Sequence, residues 1–562
     1  MEFAKSKSTG KVVSILESNS NDEFICINCG EEIVRNYGKK RQYYAHKIDN
    51  GNDCELKVSN LMKLELRDIE EGDVDTDLYL NKLNNKPDME LGLTKQQQIV
   101  VDCQGKRVKV ESIFGSGKSF TAYHYAKKRP DKEILYLVYN ASMKSEAEEL
   151  YTDLHNVEVR TMHSLAYKHI GYMYRSKLSG FIPSNDVMKV IGFNPYKGDF
   201  KYFNLFEKAF ESYLVSKFTS VEDYINDSQD FDINANDTKL IKDMTKLFKA
   251  SADLDNKIKI THDFYFKLFH IANIDLSLSY DTIIVDEFQD VFPAVLDMIN
   301  TSKVDTIVTF GDSMQSIYGW RGATNALDLF ESDTILELSN SFRIGETTAK
   351  LIKKFRDNFT DKTHNIVGLN NNQRIVESVD IDNPYGVLCR TNGELMKYAI
   401  NFASKGSKIY FEGGYKKYDF SFIKSVYGFK YWGKSYTPFL KQFDNYSDLG
   451  YFGKTKRHSK TLQAMKLIDM YGKDLIHKLN SVEKSSAKFK DADLILTTVH
   501  KAKGKTYTFP IKVLGDVINL NDIKEDSDIL EELNVLSVAI SRAKSDLELP
   551  SSLIRWYEDN KS

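Results

Sequence analysis

The chain has 562 residues, more than one hydrophobic core supports, so several domains are expected. Lys and Arg number 77 against 80 Asp and Glu, and the net charge of −3 excludes a globally basic polyanion-binding protein; any nucleic-acid surface must be local. No apolar run reaches the length of a membrane span, the opening MEFAKSKSTGK lacks a secretory core, and five Cys are too few for a disulfide framework, which together predict a soluble intracellular protein with no membrane partner.

Three of the five Cys fall in the first tenth of the chain, as Cys26-x-x-Cys29 followed by His46 and Cys54. Four such ligands are the number a closed tetrahedral zinc site needs, and a module this short would draw much of its folding energy from the metal. The competing reading is three unrelated cysteines and a surface histidine. The stretch ICINCGEEIVRNYGKKRQYYAHKIDNGNDC resembles the zinc module of competence-protein-type nucleases, with Tyr44-Ala45-His46 where Phe-Ala-His is usual and with no nuclease-like acidic cluster after it. Residues 1–60 are assigned to a zinc-binding module, and 61–90, acidic and aperiodic, to a linker. Cys103 and Cys389 read as buried thiols.

From Leu91 onward, short apolar runs (RVKVESI, EILYLVY, DTIIVDE, VDTIVTFGD, GVLCR) alternate with longer helical patterns, which predicts an α/β fold with doubly wound parallel sheets. Helical, charged insertions are expected at about 161–274 and 436–489. The strand ending at Ile113 runs into Phe114-Gly115-Ser116-Gly117-Lys118-Ser119 and then a helix, the context of a phosphate loop, although Ser112 stands where the general pattern has its first glycine. Backbone N–H groups at Gly115, Ser116 and Gly117 would approach phosphates, Lys118 would neutralise their charge, and the Ser119 hydroxyl would ligate Mg²⁺. A second apolar strand ends in Asp286-Glu287-Phe288-Gln289-Asp290. Here Asp286 would hold the Mg²⁺ and Glu287 would polarise the water attacking the γ-phosphate of ATP.

Gly311-Asp312-Ser313-Met314-Gln315-Ser316-Ile317-Tyr318-Gly319-Trp320-Arg321-Gly322-Ala323 resembles the third motif of UvrD/Rep helicases of superfamily 1A almost letter for letter. Further family motifs follow in order: Leu93-Thr94 to Gln97, Thr161 to Ser164, Leu338 to Arg343, Thr498 to Gly504 and Val538 to Lys544. VYNASMKSEA, TMHSLAY, THDFYFKLF and TTVHKAKG look most like F-box DNA helicases, although nothing reads as an F-box. The resemblance implies two RecA-like motor domains, 91–160 with 275–335 and 336–435 with 490–562, carrying the insertion 161–274 and a reduced insertion 436–489. It also implies that Gln97 reads adenine, that Phe342 stacks on it in place of the usual Tyr, that Gln315 senses the γ-phosphate, and that Arg343 and Arg542 are arginine fingers.

Sequence-independent grip on a strand calls for aromatic faces, and Trp320, Tyr139 and His163 are the candidates, with His500 in the fifth motif as a further DNA contact. Residues 401–460 hold 12 Lys or Arg against 4 Asp or Glu, interleaved with aromatics such as Tyr427 and Trp432; part resembles a buried family strand, and Lys416 to Lys460 reads equally as DNA contact or solvated surface. In the fifth motif Gly504-Lys505-Thr506-Tyr507 places Thr506 where the family carries a sugar-facing Glu, which predicts weak discrimination between ATP and dATP. The expected function is an ATP- and Mg²⁺-dependent DNA helicase or translocase moving 3′ to 5′ on single-stranded and tailed duplex DNA in replication, recombination or repair, alongside proteins of those processes. Such a protein would be cytoplasmic, on the nucleoid, or in the host cytoplasm if viral. The alternatives are a translocase that strips recombinase from single strands and a regulatory DNA-binding module.

Overall fold

The computed structural model describes residues 92–562 except 195–199, 228–236, 318–324, 361–364, 435–436, 438, 456–457, 516, 518–525 and 560–562, and before residue 92 it describes the backbone of five strands. The chain divides into two compact units, Met1–Asn81 and Lys82–Ser562. In the first unit, β1 (Phe3–Ser6), β2 (Val12–Ser14), β3 (Phe24–Ile25), β4 (Glu32–Tyr37) and β5 (Gln42–His46) form an antiparallel sheet of order β2-β1-β3-β4-β5. His46 ends β5, its backbone opposite Ile33. Cys26, Cys29 and Cys54, and the 61–90 linker, lie outside the described residues.

The second unit contains two six-stranded sheets, each parallel throughout. The first has β6 (Arg107–Ser112), β7 (Ile134–Val138), β8 (Val157–Thr161), β9 (Thr282–Val285), β10 (Thr306–Gly311) and β11 (Thr334–Leu338) in the order β11-β6-β10-β9-β7-β8. Helices cover both faces, so the strands read as continuous apolar runs rather than alternating ones. In β7 the alternation is hidden inside the apolar run: Leu135 and Leu137 face one core while Ile134, Tyr136 and Val138 face the other. The sheet extends to Leu338, which pairs with Ser112, so β11 completes the first sheet beyond residue 335.

The helices Phe200–Val215, Thr238–Ala252 and His262–Ala272 of the first insertion share a core with this sheet: Phe206, Leu247 and Phe264 cluster with Leu137 and Val285. Each such fully buried side chain contributes about 1.5–3 kcal/mol relative to exposure, which fixes the insertion onto the motor face. A short parallel pair, β12 (Asn340–Ser341) with β13 (Val367–Gly368), follows the first sheet. The second sheet comprises β14 (Ile375–Val376), β15 (Tyr385–Cys389), β16 (Ile409–Phe411), β17 (Leu494–Thr498), β18 (Ile511–Val513) and β19 (Leu547–Glu548), ordered β14-β19-β18-β15-β17-β16. An apolar cluster joins Phe114 and Met314, from loops of the first sheet, to Leu351, Val499 and Ile540 beside the second.

The basic and aromatic stretch 401–460 is divided by the fold. Phe411, Tyr418, Tyr427 and Phe429 are buried in one core with helices Ser459–Tyr471 and Leu475–Ser485, whereas Trp432 and Tyr451 are 57 % and 74 % exposed. Most of the aromatic interleaving is therefore core packing of the helix Phe420–Trp432 and its neighbours. Among the described residues no helix is long and apolar enough to cross a membrane.

Candidate active site

In parallel α/β sheets the polar groups that strands deliver collect at their carboxyl ends. After β6 the chain turns through Gly115 (φ 70°) and Gly117 (φ 81°), both in the left-handed region. A Cβ at Gly115 would stand 2.5 Å from Arg343 Cβ, and one at Gly117 2.8 Å from Gln97 Nε2, so both glycines serve conformation and close approach alike. Gln97 belongs to the helix Lys95–Asp102, where it forms a capping box with Thr94 and donates through Nε2 to Ser116 O at 3.1 Å. Among the described residues Ser116 Oγ is buried without a hydrogen-bond partner, inside a loop of the shape that receives phosphate oxygens. Helix Lys118–Lys127 starts at this loop and points its N-terminus into it.

Beside this loop in the same sheet, β9 delivers Asp286 and Glu287. Asp286 Oδ2 accepts from Ser119 Oγ at 3.3 Å and from Tyr136 OH at 2.8 Å, and Glu287 Oε1 lies 3.2 Å from Lys118 Nζ. Burial and the Glu287 charge raise Asp286 above the ordinary carboxylate range. Burial pushes Glu287 the same way, but the Lys118 ammonium, with Lys503 behind it, overrides this and holds Glu287 at about 2. For Lys118, desolvation is outweighed by Glu287, Asp312 and Asp286, which hold the ammonium above its usual value. Glu287 itself has φ 51°, a left-handed conformation uncommon for a non-glycine residue, and Gln289 Nε2 donates to its Oε2 at 2.5 Å. Ser119 and Asp286 thus bring a hydroxyl and a carboxylate together as a pair of hard oxygen donors suited to Mg²⁺.

β10 carries the loop with Gln315, and this loop is pinned along its length. Asp312 N donates to Gln289 Oε1 at 2.9 Å, Ser313 N to Glu111 Oε1 at 3.1 Å and Met314 N to Asp312 Oδ1 at 3.0 Å. Donors from beside the second sheet arrive on the same loop. Arg542 Nη2 donates to Gln315 Oε1 at 2.8 Å, Lys503 Nζ to Gln315 O, and Asn534 Nδ2 to Ser316 O at 2.9 Å. Arg542 is 1 % exposed and desolvation lowers its guanidinium to about 9. Arg343 is lowered to about 10 by desolvation, against the attraction of Glu287 and Asp312. Phe342 donates its N–H to Gly115 O at 2.9 Å and leaves its ring 46 % exposed beside the phosphate loop.

Sequence reasoning gave no role to Lys503 or Asp290, which form a buried ion pair at 2.5 Å across the cleft, nor to Tyr136, which hydrogen-bonds Asp286 from inside a buried strand. Lys503 and Asp290 stood within recognised motifs; Tyr136 carried no signal at all.

The strand-contact candidates follow other strand ends. Tyr139 comes after β7 and is half-buried; His163 opens the helix Met162–His169 after β8. His163 Nε2 lies 2.9 Å from Asp263 Oδ1, and its ring sits 5.5 Å from Phe266 and 6.1 Å from Phe292. Asp263 and Phe266 belong to the THDFYFKLF segment, so that segment cradles His163. His500 follows β17 with Nε2 3.4 Å from Arg390 Nη1, and Arg390 in turn pairs with Glu532 at 2.6 Å. Burial first, then Arg390, lowers His500 to about 4, so it is neutral at physiological pH. Trp320 lies outside the described residues. Among the described residues no group of three or more His, Cys, Asp or Glu could hold a metal ion.

The chain is 26 % identical over 514 residues to F-box DNA helicase protein 1 of Schizosaccharomyces pombe, covering 83 % of this chain and 58 % of that protein. It is 26 % identical over 518 residues to F-box DNA helicase 1 of Gallus gallus, covering 83 % and 49 %. A 77-residue stretch is 36 % identical to a mitochondrial ATP-dependent DNA helicase of Saccharomyces cerevisiae, covering 12 % of this chain and 11 % of that protein. The chain thus spans about half the length of the F-box relatives. Residues 93–334 match the UvrD/REP helicase N-terminal domain, and this chain carries that domain together with an F-box-helicase-like sequence over most of its length.

Proposed function

We propose that the chain is an ATP-dependent DNA helicase or single-strand DNA translocase of superfamily 1A, moving 3′ to 5′. The observation that carries this reading is the convergence of Lys118, Ser119, Asp286, Glu287 and Gln315 from the first sheet with Arg542 and Lys503 from the second at one cleft. The loop N–H groups and Lys118 bind the β- and γ-phosphates, Gln97 and Phe342 hold the adenine, and Ser119 with Asp286 would hold Mg²⁺, whose charge would offset that of the phosphates. Glu287, ionised throughout the neutral range, orients and polarises the attacking water. Gln315 reports the γ-phosphate to Arg542, and Arg343 and Arg542 stabilise the charge that develops on transfer. Because these groups come from both sheets, hydrolysis requires closure, and a strand held by Tyr139, His163, Trp320 and His500 is drawn along as the cleft opens and closes.

Hydrolysis measured with and without single-stranded DNA, beside strand displacement on 3′-tailed and 5′-tailed duplexes, tests the reading; DNA-independent turnover or unwinding only from 5′ tails rejects it. A second reading, a translocase that strips recombinase or other proteins from single strands, is favoured by the second insertion, whose helices share the core of the second sheet rather than forming a core of their own. Good translocation with little strand displacement would select it. Cys26, Cys29, His46 and Cys54 are proposed as a structural zinc site on their spacing alone, and elemental analysis of the protein before and after Cys26→Ser with Cys29→Ser checks it.

A further inference from the structure

The helix Asp526–Ile540 acts twice on the loop that carries Gln315. Just past its end, Arg542 reaches the Gln315 side chain, and two turns earlier Asn534 Nδ2 donates to Ser316 O at 2.9 Å. Asn534 can make this contact in only one of its two amide orientations, since a flipped amide would set its oxygen against the Ser316 carbonyl. What selects the orientation is Arg356, on the helix Glu346–Phe359, whose Nη1 donates to Asn534 Oδ1 at 2.9 Å and to Ser537 Oγ at 3.4 Å. A guanidinium has donors and no acceptor, so it holds Oδ1 and turns Nδ2 toward the loop.

Arg356 is 2 % exposed and Asn534 4 %, a depth at which solvent competes weakly for either contact. A buried guanidinium is costly unless carboxylates offset it. The carboxylates that face Arg356 are Asp312 and Glu111, and each of them binds the same loop: Asp312 through Met314 N and the Gln315 side chain, Glu111 through Ser313 N. Among the described residues Arg356 Nε is buried without a hydrogen-bond partner. Packing alone would be served by an apolar residue at this site, without the cost of a desolvated charge.

We propose that Arg356 is a positioning residue for ATP hydrolysis: it fixes the Asn534 amide, which holds the Ser316 carbonyl and so keeps Gln315 in register with Arg542. This rests on the motor reading given above. The test compares the full chain with Arg356→Met, Arg356→Lys, Asn534→Ala, Asn534→Asp and the Arg356→Met/Asn534→Ala double variant, reading kcat and KM for ATP with an oligo-dT strand. Arg356→Met is expected to lower kcat by about tenfold or more while KM stays within about twofold, and Arg356→Lys, which keeps a donor, recovers part of the turnover. The double variant is expected to be no slower than Asn534→Ala, because the arginine acts through the asparagine. Asn534→Asp keeps a partner for Arg356 but replaces the donor to Ser316 O with a carboxylate oxygen that repels that carbonyl, so its low turnover in a well-folded chain separates positioning from folding. Additive losses in the double variant, a change confined to KM, or normal turnover in Asn534→Asp would overturn the proposal while leaving the motor reading intact. An inactive wild type would overturn both.

Discussion

The proposed nucleotide cleft and the proposed DNA-facing edge use the same architectural device, the carboxyl ends of parallel strands, and finish it in opposite ways. At the cleft Asp286, Gln315 and Arg542 are 5 %, 4 % and 1 % exposed; Asp286 accepts from Ser119 beside it, and Arg542 donates to Gln315 from the second sheet's side. At the strand edge the His163 side chain is 34 % exposed and its partner Asp263 48 %. Transferring a phosphoryl group needs fixed charges in a dry site, where each is strengthened by the low dielectric. Gripping any base in turn needs accessible ring faces and tolerates loose geometry.

The comparison breaks first at the cleft if Glu287→Gln is mild. The expected loss in kcat is about 10²–10³-fold with ATP still bound, read from steady-state turnover and equilibrium nucleotide binding. At the strand edge, His163→Ala and Tyr139→Ala are each expected to weaken single-stranded DNA binding by about 1–3 kcal/mol, with ATP affinity little changed. A larger effect on ATP than on DNA would merge the two regions.

His500 sharpens the contrast through pH. Its folded value, about 4, lies below the ordinary 6.5, so the unfolded chain binds more protons between the two. Its contribution to stability is full above 6.5 and is lost as pH falls toward 4. Urea unfolding should show about 2 kcal/mol less stability at pH 5 than at pH 7 from this group, and His500→Asn should flatten that part of the profile.

The smallest effect concerns the sugar. Thr506 sits between Lys505, whose carbonyl accepts from Arg542 Nη1 at 2.9 Å, and Tyr507, whose N–H donates to Arg542 O at 2.9 Å. Its short neutral side chain predicts weak discrimination between ATP and dATP, a difference in kcat/KM of no more than about tenfold, and Thr506→Glu should raise the preference for ATP.

What was legible in the sequence follows from the same contrast. The strand, glycine turn and helix around Gly115–Ser119 and the Asp286-Glu287 turn show because such junctions demand particular residue types in consecutive positions. The doubly wound sheets show because burial on both faces leaves apolar runs such as Ile134–Val138. The pairing of Lys503 with Asp290 and of Arg356 with Asn534 does not show, since the members of each pair stand far apart in the chain, 178 residues in the second case; Arg356, a lone Arg on a helical pattern, reads as solvated surface. The aromatic stretch 401–460 failed to discriminate for a related reason: a ring facing the core and a ring facing a strand look alike until the helix face is known.

The central claim is that hydrolysis is completed from the second sheet. The most direct test is the turnover of Arg542→Ala at saturating ATP and single-stranded DNA: a fall of about 10³-fold or more with ATP affinity retained is predicted, and turnover within about tenfold of the wild type would contradict it.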